Sequence, residues 1–464
     1  MKQVFLLTNK LIYHVRMFPS RMQETISLSL PLIIFQLTTT LTDYILAAFI
    51  SNLGSEYAAS FSIINSIIMI INILIFGIVS IVGIDYSRSC GSNKPLNKDK
   101  ILGHGLYLGM FLCIIIIVTY LTLPSLLHQV ILIESYNNSI KRYFYIQTLS
   151  VVPYCFSAIL IQLLISEKNT IILMNLNILR LLALSLLAYL LIYGAFGFLG
   201  YGFIGAAYAS AIVTWLYFII LIGCSYKVIN LSGLIRLNFF SIKKSLFYIY
   251  NGILISSALV IEVSSHLVFT IIAGLKGNDI CSIYLFFMQT EIIFIIVPFA
   301  ISRSITAAVS YAIGKNNKKE IPSILYKNLL ILIVYQIFIT IILLLFSHSI
   351  INSFFGSQDF IIRYNHLLQE IIHIIIFMVL TESIRMVLIG YFCAIKDLVY
   401  LPLINFISFI GIGSVAGAFL LLHKNMHAMG LILGLLIGSV CSMLFLYWRY
   451  SYCQLKYYEV TYDE

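Results

Sequence analysis

Apolar residues run along this chain in long blocks, each closed by a short polar break, and neither strict alternation nor a narrow amphipathic stripe dominates. Twelve such blocks lie near residues 25–50, 58–86, 102–124, 141–166, 170–193, 202–227, 246–275, 280–312, 324–347, 366–395, 398–422 and 428–450. About 20 apolar residues in a helix cross a bilayer core of about 30 Å. Inside hydrocarbon the backbone must satisfy its own hydrogen bonds, which leaves helices or a closed barrel. The blocks are too long and continuous for the alternating strands of about ten residues that build a barrel. The pattern predicts an all-α polytopic membrane protein with twelve transmembrane helices.

The polar breaks carry the topology. With the N-terminus inside, the cytoplasmic segments collect 20 of the 28 Lys and Arg, among them Arg88, Lys94, Lys98, Lys100, Lys168, Lys243, Lys244, Lys315, Lys318, Lys319 and Lys396. The outer segments hold five: Lys141, Arg142, Lys276, Arg363 and Lys424. Arg180, Arg303 and Arg385 fall inside spans. This bias predicts a multi-pass protein of the inner (plasma) membrane with both termini cytoplasmic.

The breaks also repeat. "FISNLGSEYAASFSI" after the first span resembles "IIAGLKGNDICSIYL" after the seventh, and "SCGSNKPLNKDKI" after the second resembles "AIGKNNKKEI" after the eighth. Gly54 then matches Gly277 and Gly91 matches Gly314, both at an offset of 223 residues. Six helices and six more imply two six-helix lobes related by a pseudo-two-fold axis normal to the membrane. The expected division is an N-terminal segment at 1–24, an N-lobe at 25–228, a linker at 229–245, a C-lobe at 246–450 and a tail at 451–464. Transporters place substrate in the cleft between two such lobes.

Composition agrees: 61% of residues are hydrophobic and 10% charged, against roughly 25% charged in soluble domains. The net charge of +10 resides in short loops, so it reads as a topology signal and not as a nucleic-acid surface. Eight scattered cysteines without a CxxC pair read as small buried hydrophobes. The basic N-terminus leads into a full span without a cleavage pattern, so no signal peptide is expected.

Charges within the apolar blocks need a reason, since each costs about 3 kcal/mol at the bilayer centre on insertion scales. Glu262 is 18 residues from Lys244 and 14 from Lys276, and Glu382 is 19 from Arg363 and 14 from Lys396. Both acids therefore sit near mid-depth, where two carboxylates can share a cation or a proton. His266, four residues after Glu262, shares its face. Arg385, three residues after Glu382, offers a local alternative, an intrahelical ion pair that merely makes both groups tolerable. Glu291 and Arg303 share the eighth span but lie 12 residues apart, about 18 Å, too far to pair. Asp43 is the first half's one acid well inside a span, whereas Asp85 and Arg88 sit at a span end as an interfacial pair. The chain has no GxxxxGK[ST] loop, no HExxH or GxSxG, and no TVGYG filter, which argues against an ATPase, a hydrolase or a potassium channel.

These features together resemble the multidrug and toxic compound extrusion (MATE) family, in its NorM-like branch, over nearly the whole chain. "LSLPLIIFQL" resembles the family's opening helix, "ISNLGSEYAA" its first outer turn and "GYGFIGAAYASAI" the small-residue start of its sixth helix. Gly252 followed ten residues later by Glu262-Val263 is similar to the branch's seventh helix, and Thr381-Glu382, Gly390 and Lys396-Asp397 to its tenth. The resemblance implies export coupled to inward sodium or proton flow, with Glu262 and Glu382 at the cation-site positions. There are departures. The position of the family's acid on the first helix holds Leu46, with Asp43 one turn earlier; Glu382 replaces the usual Asp; Tyr284 and Gln289 stand where His and Asn are usual; Arg303 and Arg385 replace neutral residues.

The expected function is thus a secondary active exporter of small organic molecules, with no enzymatic activity, no cofactor beyond a coupling Na+ or H+, the bilayer as its setting and a monomeric state. Asp43, Glu262 and Glu382 are the coupling candidates; Arg303, Arg385, Glu291, Gln289, Tyr284 and His266 are the candidate cavity residues. The arginines, with Arg180, favour an acidic or zwitterionic cargo. A lipid-linked oligosaccharide flippase of the same superfamily is the alternative, and a membrane enzyme the alternative of another class.

Overall fold

A computed structural model describes residues 20–93, 95–130, 134–194, 200–226, 228–229, 242–355, 358–423 and 426–462. Most of the expected N-terminal segment, the linker from 230 to 241 and the last two residues of the tail lie outside the described residues.

The described residues form twelve helices long and apolar enough to cross a membrane. Spans one to six are Ser20–Ser51, Ser55–Gly91, Pro95–Val130, Glu134–Ser166, Thr170–Tyr193 and Phe203–Tyr226. Spans seven to ten are Ile242–Lys276, Asn278–Gly314, Ile321–Leu345 and Gln358–Ile395. The eleventh span is composite: Tyr400–Asn405, a π-helical stretch Phe406–Gly413, then Ser414–His423; the twelfth is His427–Tyr462. A short helix, Ser347–Phe354, which the hydrophobic pattern does not separate from the ninth block, buries Ser347 and Ile351. Pro31, Pro153 and Pro298 all lie within helices.

The repeat is visible in the backbone itself. Gly54 and Gly277, 223 positions apart, open the second and eighth spans at φ 133° and 139°, which only glycine adopts readily. Asn93 and Asn316, at the same offset, follow those spans in the left-handed region at φ 56° and 62°. Asparagine tolerates that conformation best among residues with a Cβ.

The chain divides into two compact units, residues 1–256 with 310–317, and 257–309 with 318–464. In the first unit the ends of the second and eighth spans interlock. A Cβ at Gly91 would overlap the Tyr311 carbonyl, and one at Gly314 would overlap the Arg88 carbonyl. Tyr311 is the repeat counterpart of Arg88, so this contact is reciprocal. Gly252 packs its backbone on Ile78, and Ser256 donates to the Leu74 carbonyl at 3.1 Å. Asn177 ties the fifth span to the first through the Phe35 carbonyl and the Thr38 and Thr39 hydroxyls, each at 2.8 Å.

The second unit is built on a core that includes Phe269, Tyr284, Phe286, Phe287, Ile371, Ile375, Val379, Leu431 and Leu435. Its eleventh and twelfth spans approach through a ladder of glycines, Gly413 and Gly417 against Gly434 and Gly438, with Gly430 against the Leu420–Leu421 backbone. A Cβ at Gly434 would lie 2.5 Å from the Gly417 Cα. Small residues four apart let helix backbones touch where lipid supplies no hydrophobic drive. Asn405 joins three spans, donating to the Ala258 carbonyl at 2.9 Å and accepting from Ser442 at 3.1 Å.

Candidate functional site

Glu262, Glu382 and Arg385 converge within the second unit. Arg385 is fully buried, and its guanidinium lies between two carboxylates. Its Nε donates to both oxygens of Glu382 at 3.0 and 2.9 Å. Its Nη2 donates at 2.5 Å to Glu382 Oε2 and at 2.5 Å to Glu262 Oε1, 123 residues earlier on the seventh span. The intrahelical pair therefore exists, and it is half of a bridge between helices.

Neighbouring spans complete the cage around Glu382. Ser439 of the twelfth span donates to Glu382 Oε1 at 2.6 Å and shares a 3.1 Å hydrogen bond with Thr381. The Phe409 ring, in the π-helical stretch, lies 5.2 Å from the guanidinium carbon. A π-helical turn shifts side-chain register within a helix and occurs disproportionately at functional sites. Glu382, 1% exposed, thus holds a guanidinium on both oxygens and a hydroxyl on one.

A third carboxylate joins this group. Glu291 of the eighth span is buried at 2% exposure and within electrostatic reach of Glu382, Glu262 and Arg385. His266 is within reach of Glu382 and Arg385. Four buried atoms here have no hydrogen-bond partner: Glu262 Oε2, Glu291 Oε2, His266 Nδ1 and Arg385 Nη1. Three carboxylates face one guanidinium, so the group holds two formal negative charges more than positive ones when all are ionised.

The other candidates fall elsewhere. Tyr284 is completely buried, with its hydroxyl 3.5 Å from the His266 carbonyl, while Gln289 is exposed and Arg303 half-buried. Asp43 belongs to the first unit and is exposed, within electrostatic reach of Arg180, whose guanidinium lies 5.7 Å from the Tyr217 ring. Leu46 is buried at 7% exposure. Sequence reasoning missed Ser439 and Phe409. The glycine ladder around Ser439 is a signal that its face meets another helix; nothing marks Phe409 beforehand.

The residues that carry the family resemblance have local work to do. Gly390 lets the tenth span touch the eighth, since a Cβ there would lie 2.6 Å from the Ser302 carbonyl. Lys396 ends the tenth span at φ 64°, and Asp397 accepts from Arg449 at 2.9 Å.

Comparison with known proteins agrees with this architecture. A "Probable multidrug resistance protein NorM" of Bacillus licheniformis is 24% identical over 276 residues, 58% of this chain and 60% of that protein. One of the same name from Xylella fastidiosa is 20% identical across 93% of this chain and 92% of its own length. A solved MOP superfamily transporter from Pyrococcus furiosus, described by a binding pocket of reverse polarity that suggests a different function, superposes with a TM-score of 0.80. It is 17% identical and the match covers 93% of this chain and 96% of that one, a likeness of fold. The MatE family model matches residues 31–190 and 255–419. On that match, the chain belongs to the MatE family of multidrug and toxic compound extrusion transporters.

Proposed function

We propose that this protein is a secondary active exporter of small organic molecules that runs on inward proton flow by alternating access, with both termini in the cytoplasm. The observation that carries the reading is the Glu262–Arg385–Glu382 bridge, with Arg385 and Glu382 buried and Glu291 beside it. The two relatives named as probable multidrug resistance proteins support export.

The bridge has a moving part. Glu382 is held on its own helix by Arg385 and from the twelfth span by Ser439, whereas Glu262 depends on the single Nη2 contact and keeps one oxygen without a partner. A proton arriving at Glu262 removes the charge that Arg385 faces across the helices, and the guanidinium then belongs to Glu382 alone. Loss of that contact uncouples the seventh span from the tenth; release of the proton restores it. Glu291, buried and within electrostatic reach of both acids, is the second loading position.

A sodium ion fits this donor set poorly. Arg385 already supplies the positive charge between the two carboxylates that sodium would share. We therefore assign coupling to protons. Arg385 is also committed to the acids, so in this unit an acidic or zwitterionic cargo is left to Arg303.

The test is transport in proteoliposomes, using ethidium as a permanent cation and norfloxacin as a zwitterion. A pH gradient is expected to drive movement that a sodium gradient of equal size does not, and Glu262→Gln is expected to abolish that coupling. Transport driven by sodium alone, and lost in the same variant, overturns the assignment. Arg303→Ala is expected to weaken norfloxacin transport more than ethidium transport.

A further inference from the structure

We propose that a cavity of about 470 Å³ in the first unit, at the basic ends of the second, third and seventh spans, is a binding site for a phosphate group. Its walls carry Arg88 and Asp85 from the second span, Lys100 and His104 from the third, and Lys244 and Tyr248 from the seventh. None of these residues belongs to the acid–guanidinium network described above.

A positive-inside bias by itself leaves lysines solvated in loops. Here three cations from three different helices, the exposed Lys244 and the part-buried Arg88 and Lys100, line one half-open cavity, together with a histidine that is 2% exposed. The His104 ring packs edge-on against Tyr248 at 6.2 Å, and its Nδ1 has no hydrogen-bond partner. A buried polar atom left unsatisfied is costly, so the imidazole of His104 offers a nitrogen to whatever polar atom occupies the cavity. Tyr248 is itself hydrogen-bonded to Asp85, and Asp85 faces Arg88, which leaves the acid engaged by the wall.

Three cations and one carboxylate leave a formal charge of +2, the complement of a phosphate and more than one carboxylate requires. A guanidinium fork, ammonium groups and an imidazole N–H are also the donors that several oxygens on one tetrahedral centre can accept at once. The phosphate has two available sources, the headgroup of an anionic phospholipid at the membrane edge or free inorganic phosphate. Either one, bound here, ties together three helix ends beside the Gly91–Gly314 interlock, since Gly314 also lines the cavity.

The experiment uses the full chain purified in detergent and two probes. Inorganic phosphate is titrated by calorimetry, and phosphatidylglycerol is added before native mass spectrometry. Saturable binding of at least one probe is expected. In Lys100→Gln/Lys244→Gln that binding should weaken by about tenfold or more, as loss of charge-assisted hydrogen bonds requires. Lys100→Arg/Lys244→Arg and the control Lys318→Gln/Lys319→Gln, whose residues do not line the cavity, are expected to retain it. Heat with phosphate and no lipid adduct assigns the free ion; lipid adducts without phosphate heat assign the headgroup. If the glutamine pair does not fold, His104→Phe takes its place and must also weaken binding. The proposal is overturned if neither probe binds, if binding survives loss of the cavity residues, or if the control loses as much.

Discussion

At the scale of single residues, Arg385 decides the site. A guanidinium buried between two carboxylates is tolerated only because its charge is matched by theirs, and removing one member exposes the cost. Arg385→Ala is expected to destabilise the protein by about 3–5 kcal/mol, read as a large fall in melting temperature in detergent, because Glu382 is left buried without its cation. Ser439→Ala removes a donor to the same carboxylate and is expected to cost about 1.5–3 kcal/mol. If Ser439→Ala proves as damaging as Arg385→Ala, the guanidinium is not the group that holds Glu382. The i, i+3 pairing of Glu382 with Arg385 was legible in the sequence, because helix geometry alone places those side chains together. The contact to Glu262 was not, since a partner 123 residues away depends on how two helices rotate about their axes.

At the scale of elements, close backbone approach does what hydrophobic burial does in soluble proteins. Lipid is as apolar as leucine, so helices hold together by dispersion and by contacts that only small residues permit. Gly434→Leu is expected to cost about 1–3 kcal/mol or more, because the atoms it meets are backbone atoms of Gly417 and Gly413 that cannot rotate aside. The loss of monodisperse protein on size exclusion measures it. The reciprocal contact makes a sharper forecast: Gly91→Leu and Gly314→Leu should harm the protein alike, as each drives a side chain into the other span's carbonyl. A tolerated Gly314→Leu beside a destructive Gly91→Leu would deny the reciprocity. The twelve spans were legible, because length and apolarity are local properties. The π-helical stretch at Phe406–Gly413 and the short helix Ser347–Phe354 were not, because neither leaves a mark in the order of apolar and polar residues.

At the scale of the whole molecule, large apolar side chains such as Ile114, Leu182, Ile219 and Val334 are exposed on the spans, as a protein solvated by lipid requires. The lysine and arginine bias makes the orientation testable. A fluorescent reporter fused after Glu464 should fold and fluoresce in the cytoplasm, and a periplasmic phosphatase inserted at Gly277 should be active; the reverse pattern would invert the topology. The 223-residue repeat is a whole-molecule property that the sequence carried openly, in Gly54 with Gly277 and Gly91 with Gly314. Residues 246–256 and 310–317, on spans of the second half, group with the first unit because the backbones of Gly252 and Gly314 pack there.

The sequence by itself determined the number of spans, the internal repeat and the positions of Glu262 and Glu382 along their helices, since each follows from the order of apolar, charged and turn residues along the chain. Only the tertiary structure decided that Arg385 bridges both acids, that Glu291, Ser439 and Phe409 gather round them, and that His104 faces a basic cavity. The physical reason is rotation. Sequence sets how deep a residue lies along its helix, but the face it presents to another helix is chosen by the packing of all of them together.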